Sequence, residues 1–207
     1  MPALQRTLWL RAPGAHSGCC PGDLTSFAAS WVPPTALHQA ACTDAQASAL
    51  VDCLSALPDD ATCAAFLGNA ANAACLTCAV SRSTASAYGP IIQDSADFTV
   101  NEAGCLALAE GDVTSGGCGA KVSAANDCVA RACEPSCPLF ADDNGASLAS
   151  LQRCQKIAAD KGCKAYADGA SCESALEADA GPGSFCTQTG PTFRENAKAM
   201  ITLFCGP

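Results

Sequence analysis

Histidine is missing from residue 42 to the end of the chain, and the two histidines are His16 and His38. Serine and cysteine hydrolases need a histidine base, and imidazole is the commonest side-chain ligand for metals. The sequence also has no G-x-S-x-G elbow, no P-loop and no G-x-G-x-x-G turn. We therefore expect a protein that is not an enzyme and that carries no cofactor.

Aromatic residues, long apolar runs and positive charge are also scarce. Aromatics make up 5% of the 207 residues. No stretch approaches the roughly 20 apolar residues that cross a bilayer, so no membrane span is expected. Residues 42–207 carry nine basic and nineteen acidic side chains, which disfavours nucleic acid as a partner. A signal peptide is not evident, because Arg11, Pro13 and Gly14 interrupt the first apolar stretch.

Cysteine is the residue that the chain has in abundance, with 17 copies. An alanine-rich core buries little apolar area per residue, and disulfides at about 2–4 kcal/mol each would offset that shortfall. Cys42 and Cys53 on one helix would lie about 16 Å apart, too far to pair, so each needs a partner on a neighbouring helix. The predicted half-cystines are Cys42, Cys53, Cys63, Cys75, Cys78, Cys105, Cys118, Cys128, Cys133, Cys137, Cys154, Cys163, Cys172, Cys186 and Cys205.

Two other uses of the cysteines stay open. A Cu(I) or Zn thiolate store would draw on Cys75, Cys78, Cys128, Cys133 and Cys137. A thiol–disulfide redox protein would use Cys75 and Cys78, which form the only C-x-x-C. That pair falls late in an alanine-rich helix, whereas reactive pairs usually lie at a helix N-terminus. Disulfide crosslinking is therefore the favoured interpretation.

The chain divides into two parts at residue 42. Residues 1–41 hold both tryptophans, both histidines and five of the twelve prolines, and they show no helical period. We expect a poorly ordered leader or an artefact of the assigned start there, with Cys19 or Cys20 as a possible link to the body. Residues 42–207 are predicted to form a single cysteine-rich helical domain.

Helix signals dominate residues 42–207. Thr43 with Gln46 and Thr192 with Glu195 have the spacing of capping boxes. The first helix should stop at Pro58, and a second should run from Asp59 to Cys78 with a bend at Gly68–Asn69. Short β-like segments at 91–93 and 98–100 indicate a hairpin. Further helices are predicted up to residue 133, at about 148–161, at about 172–180 and after Thr192. The fold class is therefore mainly α: short disulfide-crosslinked helices in hairpins or a bundle, with a small β or irregular insertion near 88–117.

Three segments carry a resemblance to a known group. They are Tyr88-Gly89-Pro90-Ile91-Ile92, Gly104-Cys105-Leu106-Ala107-Leu108 and the cluster Cys128, Cys133 and Cys137. With them, residues 42–207 resemble uncharacterised alanine- and cysteine-rich exported proteins of the kind found in myxobacterial genomes. The resemblance implies an extracellular or cell-envelope location. We expect a binding or structural protein there, with an unknown extracellular protein or glycan as its partner.

Overall fold

A computed structural model describes residues 19–55, 61–95, 97–140, 145–178, 181–187 and 192–207. Three predictions lie outside the described residues: the leader over residues 1–18, the helix stop at Pro58, and the start of the second helix at Asp59.

Short helices make up most of the described chain, as predicted. The α-helices are α1 Asp44–Ser55, α2 Ala61–Leu67, α3 Ala73–Ala79, α4 Glu102–Glu110, α5 Cys118–Cys133, α6 Ala146–Asp160, α7 Lys164–Gly169, α8 Glu173–Glu177, α9 Ser184–Thr187 and α10 Phe193–Cys205. Two 3-10 turns, Ala70–Asn72 and Ala170–Cys172, precede α3 and α8. Within the described ranges, no helix combines the length and the apolarity needed to span a bilayer.

Both predicted capping boxes form. The Gln46 backbone N–H donates to Thr43 Oγ1 at 3.2 Å, and the Thr43 N–H donates to Gln46 Oε1 at 2.9 Å. The Thr192–Glu195 pair makes the same reciprocal bonds at the start of α10. Each box satisfies backbone donors that have no partner within the first turn of a helix. Local sequence therefore fixes where α1 and α10 begin.

The predicted second helix is broken where a bend was expected. Helix α2 ends at Leu67, and α3 begins only at Ala73. Between them the Asn69 side chain accepts a bond from the Ala71 N–H at 3.0 Å. A short polar side chain that bonds nearby backbone competes with helix continuation, and Gly68 adds backbone freedom. The prediction of one bent helix is wrong at this point.

A small sheet forms within the predicted β insertion. Strands β2 (Ile91–Asp94) and β3 (Asp97–Val100) pair antiparallel, which confirms the predicted hairpin. A third strand, β1 (Val80–Arg82), runs parallel to β2 and extends the chain directly from α3. This strand was not predicted, because three residues without alternation give no strand signal.

The buried residues form two clusters. The larger lies between α1, α3, α4, α5 and α10 and contains Leu50, Leu106, Ile201 and Phe204. The smaller lies between α5 and α6, and its fully buried members are cysteines, alanines and Leu151. Partly buried side chains that include Leu24, Phe27 and Tyr166 pack against it. The fully buried part of this second cluster consists mostly of small side chains, so each residue there buries less apolar area than the leucines and phenylalanine of the larger cluster.

Close packing of α4 against α5 depends on Gly119. A Cβ at this position would lie 2.6 Å from Ala107 Cβ and closer still to the carbonyl oxygen of Ala103. Real side chains do not approach at such distances, so only glycine allows this contact between the two helices. The contact positions α5, which contributes to the cleft described below.

Eight disulfides join the described elements, with Cα–Cα separations between 4.6 and 6.0 Å. They are Cys19–Cys137, Cys42–Cys75, Cys53–Cys63, Cys78–Cys205, Cys105–Cys186, Cys118–Cys172, Cys128–Cys163 and Cys133–Cys154. The chain is thus a disulfide-rich protein of the extracellular type, as the cysteine content predicted. The seventeenth cysteine is Cys20, an exposed residue beside Cys19.

Residues 19–41 lie along the helical body. Cys19 is bonded to Cys137, and the Gly22 N–H donates to the Ala132 carbonyl at 2.7 Å. Residues 38–42 donate five further backbone hydrogen bonds to the carbonyl oxygens of residues 203–206, at and just beyond the end of α10. A segment with no helical period still packs when backbone bonds and a disulfide hold it.

Candidate functional site

The predicted site residues are all half-cystines in the structure. Each of the fifteen candidates lies in one of the eight disulfides, and Cys19 is the sixteenth member. Cys75 pairs with Cys42, and Cys78 pairs with Cys205. The C-x-x-C cysteines are therefore not bonded to each other, whereas a redox-active C-x-x-C motif forms a disulfide within itself.

The five cysteines of the metal alternative belong to five different disulfides. Cys128 pairs with Cys163, Cys133 with Cys154, and Cys137 with Cys19. A soft metal binds a thiolate, which a disulfide sulfur is not. The oxidised chain does not offer this set as ligands.

A cleft lies between residues 29–31, α5 and α7. It has a volume of about 290 Å³. Ligand pockets for small molecules start at about this size, so the cleft could hold a molecule comparable to a single sugar ring. Its lining consists of Ala29, Ser30, Trp31, Ser115, Ala120, Lys121, Ala124, Ala165, Tyr166 and Gly169.

The inner side of the cleft comes from α5. Ala120 and Ala124 are both buried and lie one helical turn apart, so they share a face of the helix. Each contributes only a methyl group to the lining of the cleft. The alanine content that weakens the core thus also leaves this space open.

A hydrogen bond to its indole nitrogen orients Trp31. The Trp31 Nε1–H donates to the carbonyl oxygen of Val113 at 2.8 Å. With its only donor in use, the indole offers the cleft its apolar ring surface alone. The pairing of Pro34 with Tyr88 and the bond from the Thr35 N–H to the Tyr88 carbonyl secure the segment just beyond Trp31.

A ring contact orients Tyr166, which lies on α7. Its ring packs edge to face against Phe27, with 5.2 Å between the ring centroids and planes at 88°. Offset and edge-to-face pairs are the favoured aromatic arrangements and add about 0.5–1.5 kcal/mol beyond area burial. Phe27 belongs to the same N-terminal segment as Trp31, so this contact also joins the two walls of the cleft.

Among the described residues that line the cleft, Lys121 is the one that carries a charge, and it is exposed on α5. Two hydrogen bonds from Thr114 and, less strongly, the charge of Lys121 hold the pKa of Asp112 below its usual value. The Lys121 ammonium group therefore lies within electrostatic range of Asp112 and of the cleft. The cleft offers aromatic faces, one cation and the hydroxyls of Ser30 and Ser115. These groups suit a flat ring that carries an acidic or hydrogen-bond-accepting group.

Sequence reasoning did not find this cleft. Trp31 was assigned to a leader, and Tyr166 and Lys121 carry no motif. One signal was available: the chain has only two tryptophans, and tryptophan is a residue enriched at binding sites. The cleft itself depends on the packing of α5 against α7 and residues 29–31, which no local pattern encodes.

Three carboxylates lie close together away from the cleft, at the contact of α4 with α8. Burial, and then the charge of Glu177, raise the pKa of Glu102 above the ordinary 4.5. Burial raises the pKa of Glu173 as well, with smaller contributions from Glu177 and Glu102. The ionised forms of Glu102 and Glu173 are thus less favourable here than in free solution.

Replacement of Glu102 by Gln is expected to stabilise the protein only slightly at pH 7.5, raising its melting temperature by about 1 °C, because Glu102 is exposed and solvent screens most of the repulsion. The folded chain has the higher pKa, so wild-type Glu102 destabilises the fold when ionised, and the penalty disappears as pH falls through the raised pKa to below 4.5. The substitution also removes a negative charge from the first turn of α4, where the helix dipole favours one. This loss offsets part of the gain in stability. Melting curves of both proteins at pH 7.5 and pH 4 check this, and a gain that persists unchanged at pH 4 would contradict it.

Comparison of the chain with protein-family models, with curated proteins and with solved structures gives no match.

Proposed function

We propose that the protein is a non-enzymatic, disulfide-crosslinked binding protein of the extracellular space or the cell envelope. We propose further that it binds a small acidic ring compound in the cleft between Trp31 and Tyr166. The observation that carries the proposal is this cleft, with two oriented aromatic side chains and one lysine around an alanine-lined space.

The disulfides support the compartment. Proteins with this many disulfides fold and persist where thiols are oxidised, outside the reducing cytosol. The absence of histidine from residue 42 onward supports a role without acid–base catalysis near neutral pH. Of the predicted classes of partner, a glycan component suits a cleft of this size, whereas an extracellular protein would need a broader surface.

An acidic monosaccharide is the simplest ligand that uses every feature of the cleft. The C–H face of a pyranose ring would stack on the indole of Trp31 or the phenol of Tyr166. Its carboxylate would meet the Lys121 ammonium group, and its hydroxyls would exchange bonds with Ser30 and Ser115. A neutral sugar of the same size would lack the ionic contribution and bind more weakly.

Calorimetric titration with D-glucuronate tests the proposal, with D-glucose as the neutral counterpart. Trp31→Ala is expected to weaken glucuronate binding by about tenfold or more, which corresponds to about 1.4 kcal/mol for a lost stacking surface. Lys121→Ala is expected to reduce the preference for glucuronate over glucose. In a Trp9→Phe variant, the emission of Trp31 should change on titration, because Trp31 is then the only tryptophan.

Lys156→Ala is the matched control, because Lys156 is also an exposed helical lysine but lies on α6, outside the cleft lining. It should leave the affinity unchanged. The proposal is contradicted if glucuronate does not bind, or if it binds with equal affinity to the wild type and to the Trp31→Ala variant.

A further inference from the structure

Two disulfides meet at the end of α5. Cys133 is the last residue of α5, and the Cys137 N–H donates to its carbonyl at 2.9 Å one turn further on. Cys133 is bonded to Cys154 of α6, and Cys137 is bonded to Cys19 of the N-terminal segment. The Sγ atoms of Cys19, Cys137 and Cys154 all lie within 4.8 Å of one another. We refer to these two disulfides as the sulfur cluster.

Of the four cysteines in the sulfur cluster, Cys19 is the most exposed. Cys133 and Cys154 are fully buried, and Cys137 is 5% exposed. Cys19 is half-buried and borders a hollow of about 110 Å³ lined by Ser136, Cys137, Pro138, Phe140, Ser147 and Ser150. A small thiol therefore reaches Cys19 Sγ, whereas the Cys133–Cys154 disulfide is shielded from direct attack.

We propose that the sulfur cluster is a thiol–disulfide exchange site. Attack by an external thiol on Cys19 at the surface leads, through Cys137, to cleavage of the buried Cys133–Cys154 disulfide. In the first step the thiolate of an external small-molecule thiol attacks Cys19 Sγ. The Cys19–Cys137 bond breaks, a mixed disulfide forms on Cys19, and Cys137 leaves as a thiolate. In the second step this thiolate attacks the neighbouring Cys154 Sγ, which forms Cys137–Cys154 and releases Cys133 as a thiolate.

The two steps balance in electrons and protons. Each step replaces one sulfur–sulfur bond with another, so the number of disulfide bonds stays constant. The proton that the external thiol loses is matched by the proton that the Cys133 thiolate takes up from water. The only co-reactant is the external thiol, which ends as the mixed disulfide on Cys19.

Exchange at this site changes what holds the N-terminal segment. Cys19 is the covalent link between residues 19–41 and the end of α5. Once it carries the external thiol, the remaining bonds near it, such as Gly22 N–H to the Ala132 carbonyl, are non-covalent. The chain then holds a Cys137–Cys154 bond that secures the turn after α5 to α6 in place of the Cys133–Cys154 bond.

The Cys53–Cys63 disulfide provides an internal control. Both of its cysteines are half-buried, so it is also open to attack. Among the residues that the structure describes, the sulfur cluster is the one place where three cysteine Sγ atoms come within 4.8 Å. Attack at Cys53 or Cys63 should therefore stop at a mixed disulfide and one thiol, with no third cysteine involved.

The test is limited reaction of the protein with glutathione, followed by acid quenching, alkylation and peptide mass spectrometry. A Cys20→Ser variant is used, so that every thiol found comes from the sixteen cysteines of the eight disulfides. We expect chains that carry glutathione on Cys19 to contain mostly a Cys137–Cys154 crosslink and an alkylated Cys133. This outcome is independent of ligand binding in the cleft.

Two results would overturn the proposal. One is glutathione on Cys19 together with an alkylated Cys137 and an intact Cys133–Cys154 bond, which is attack without transfer. The other is adduct formation at Cys53 or Cys63 with none at Cys19, which means that the site is not reached. A Cys133→Ala, Cys154→Ala double variant removes the acceptor disulfide, and in it the alkylated Cys137 should accumulate.

Discussion

Full reduction with dithiothreitol is expected to unfold the protein at 25 °C. Eight disulfides at about 2–4 kcal/mol each exceed the 5–15 kcal/mol by which whole domains of this kind are usually stable. The non-covalent core cannot make up the difference, because the α5–α6 cluster consists largely of cysteine and alanine. Most of the large, fully buried side chains, such as Leu50, Leu106 and Phe204, lie in the larger cluster.

Far-ultraviolet circular dichroism of reduced and alkylated protein checks this expectation. The helical signal should fall to a minor fraction of the oxidised value, and no cooperative melting transition should remain. Protein treated with alkylating reagent alone is the control and should keep its spectrum. A reduced chain that keeps its helices and melts cooperatively would show that the disulfides are not what holds the helices together.

Removal of the Cys78–Cys205 disulfide is expected to cost more than removal of Cys53–Cys63. The first joins residues 127 apart in sequence and ties α10 to α3, whereas the second closes a loop of 10. The Cys105–Cys186 disulfide shortens the effective loop that Cys78–Cys205 closes. Loop-closure entropy then gives about 4 kcal/mol for Cys78–Cys205 and about 3 kcal/mol for Cys53–Cys63.

Burial increases that difference. Cys205 is fully buried, so serine there places a hydroxyl in the core at a further cost of about 1–3 kcal/mol. Cys53 and Cys63 are half-buried, and serine at either position can reach water. Denaturant unfolding of the two double-serine variants measures both free energies. Equal losses, or a larger loss for Cys53–Cys63, would contradict the loop and burial argument.

Local signals in the sequence were enough to place several elements. Thr43 with Gln46 and Thr192 with Glu195 define helix starts through bonds within four residues, so a single sequence is sufficient to find them. The hairpin at residues 91–100 follows from apolar and β-branched residues on either side of a polar turn. The mainly helical, disulfide-crosslinked fold class follows from the same signals and from the cysteine count.

Long-range pairing could not be predicted. Cys78 bonds to a residue 127 positions away and Cys19 to one 118 positions away, and spacing contains no information about such partners. The cleft could not be predicted for the same reason, because Trp31, Lys121 and Tyr166 come together only when the N-terminal segment, α5 and α7 pack against one another. Backbone hydrogen bonds and a disulfide hold residues 19–41 in place. Such bonds need no periodic apolar side chains, so the sequence of this segment shows no helical period.

Sulfur in this chain serves to crosslink short helices, and one measurement tests that claim most directly. Thiols are counted on the unreduced, denatured protein, and the disulfides are mapped by peptide mass spectrometry. The structure predicts at most one thiol per chain and the eight pairs found here, with Cys75 joined to Cys42 and Cys78 joined to Cys205. A count of a dozen or more thiols per chain in protein that was folded before denaturation, or a Cys75–Cys78 bond, would contradict it.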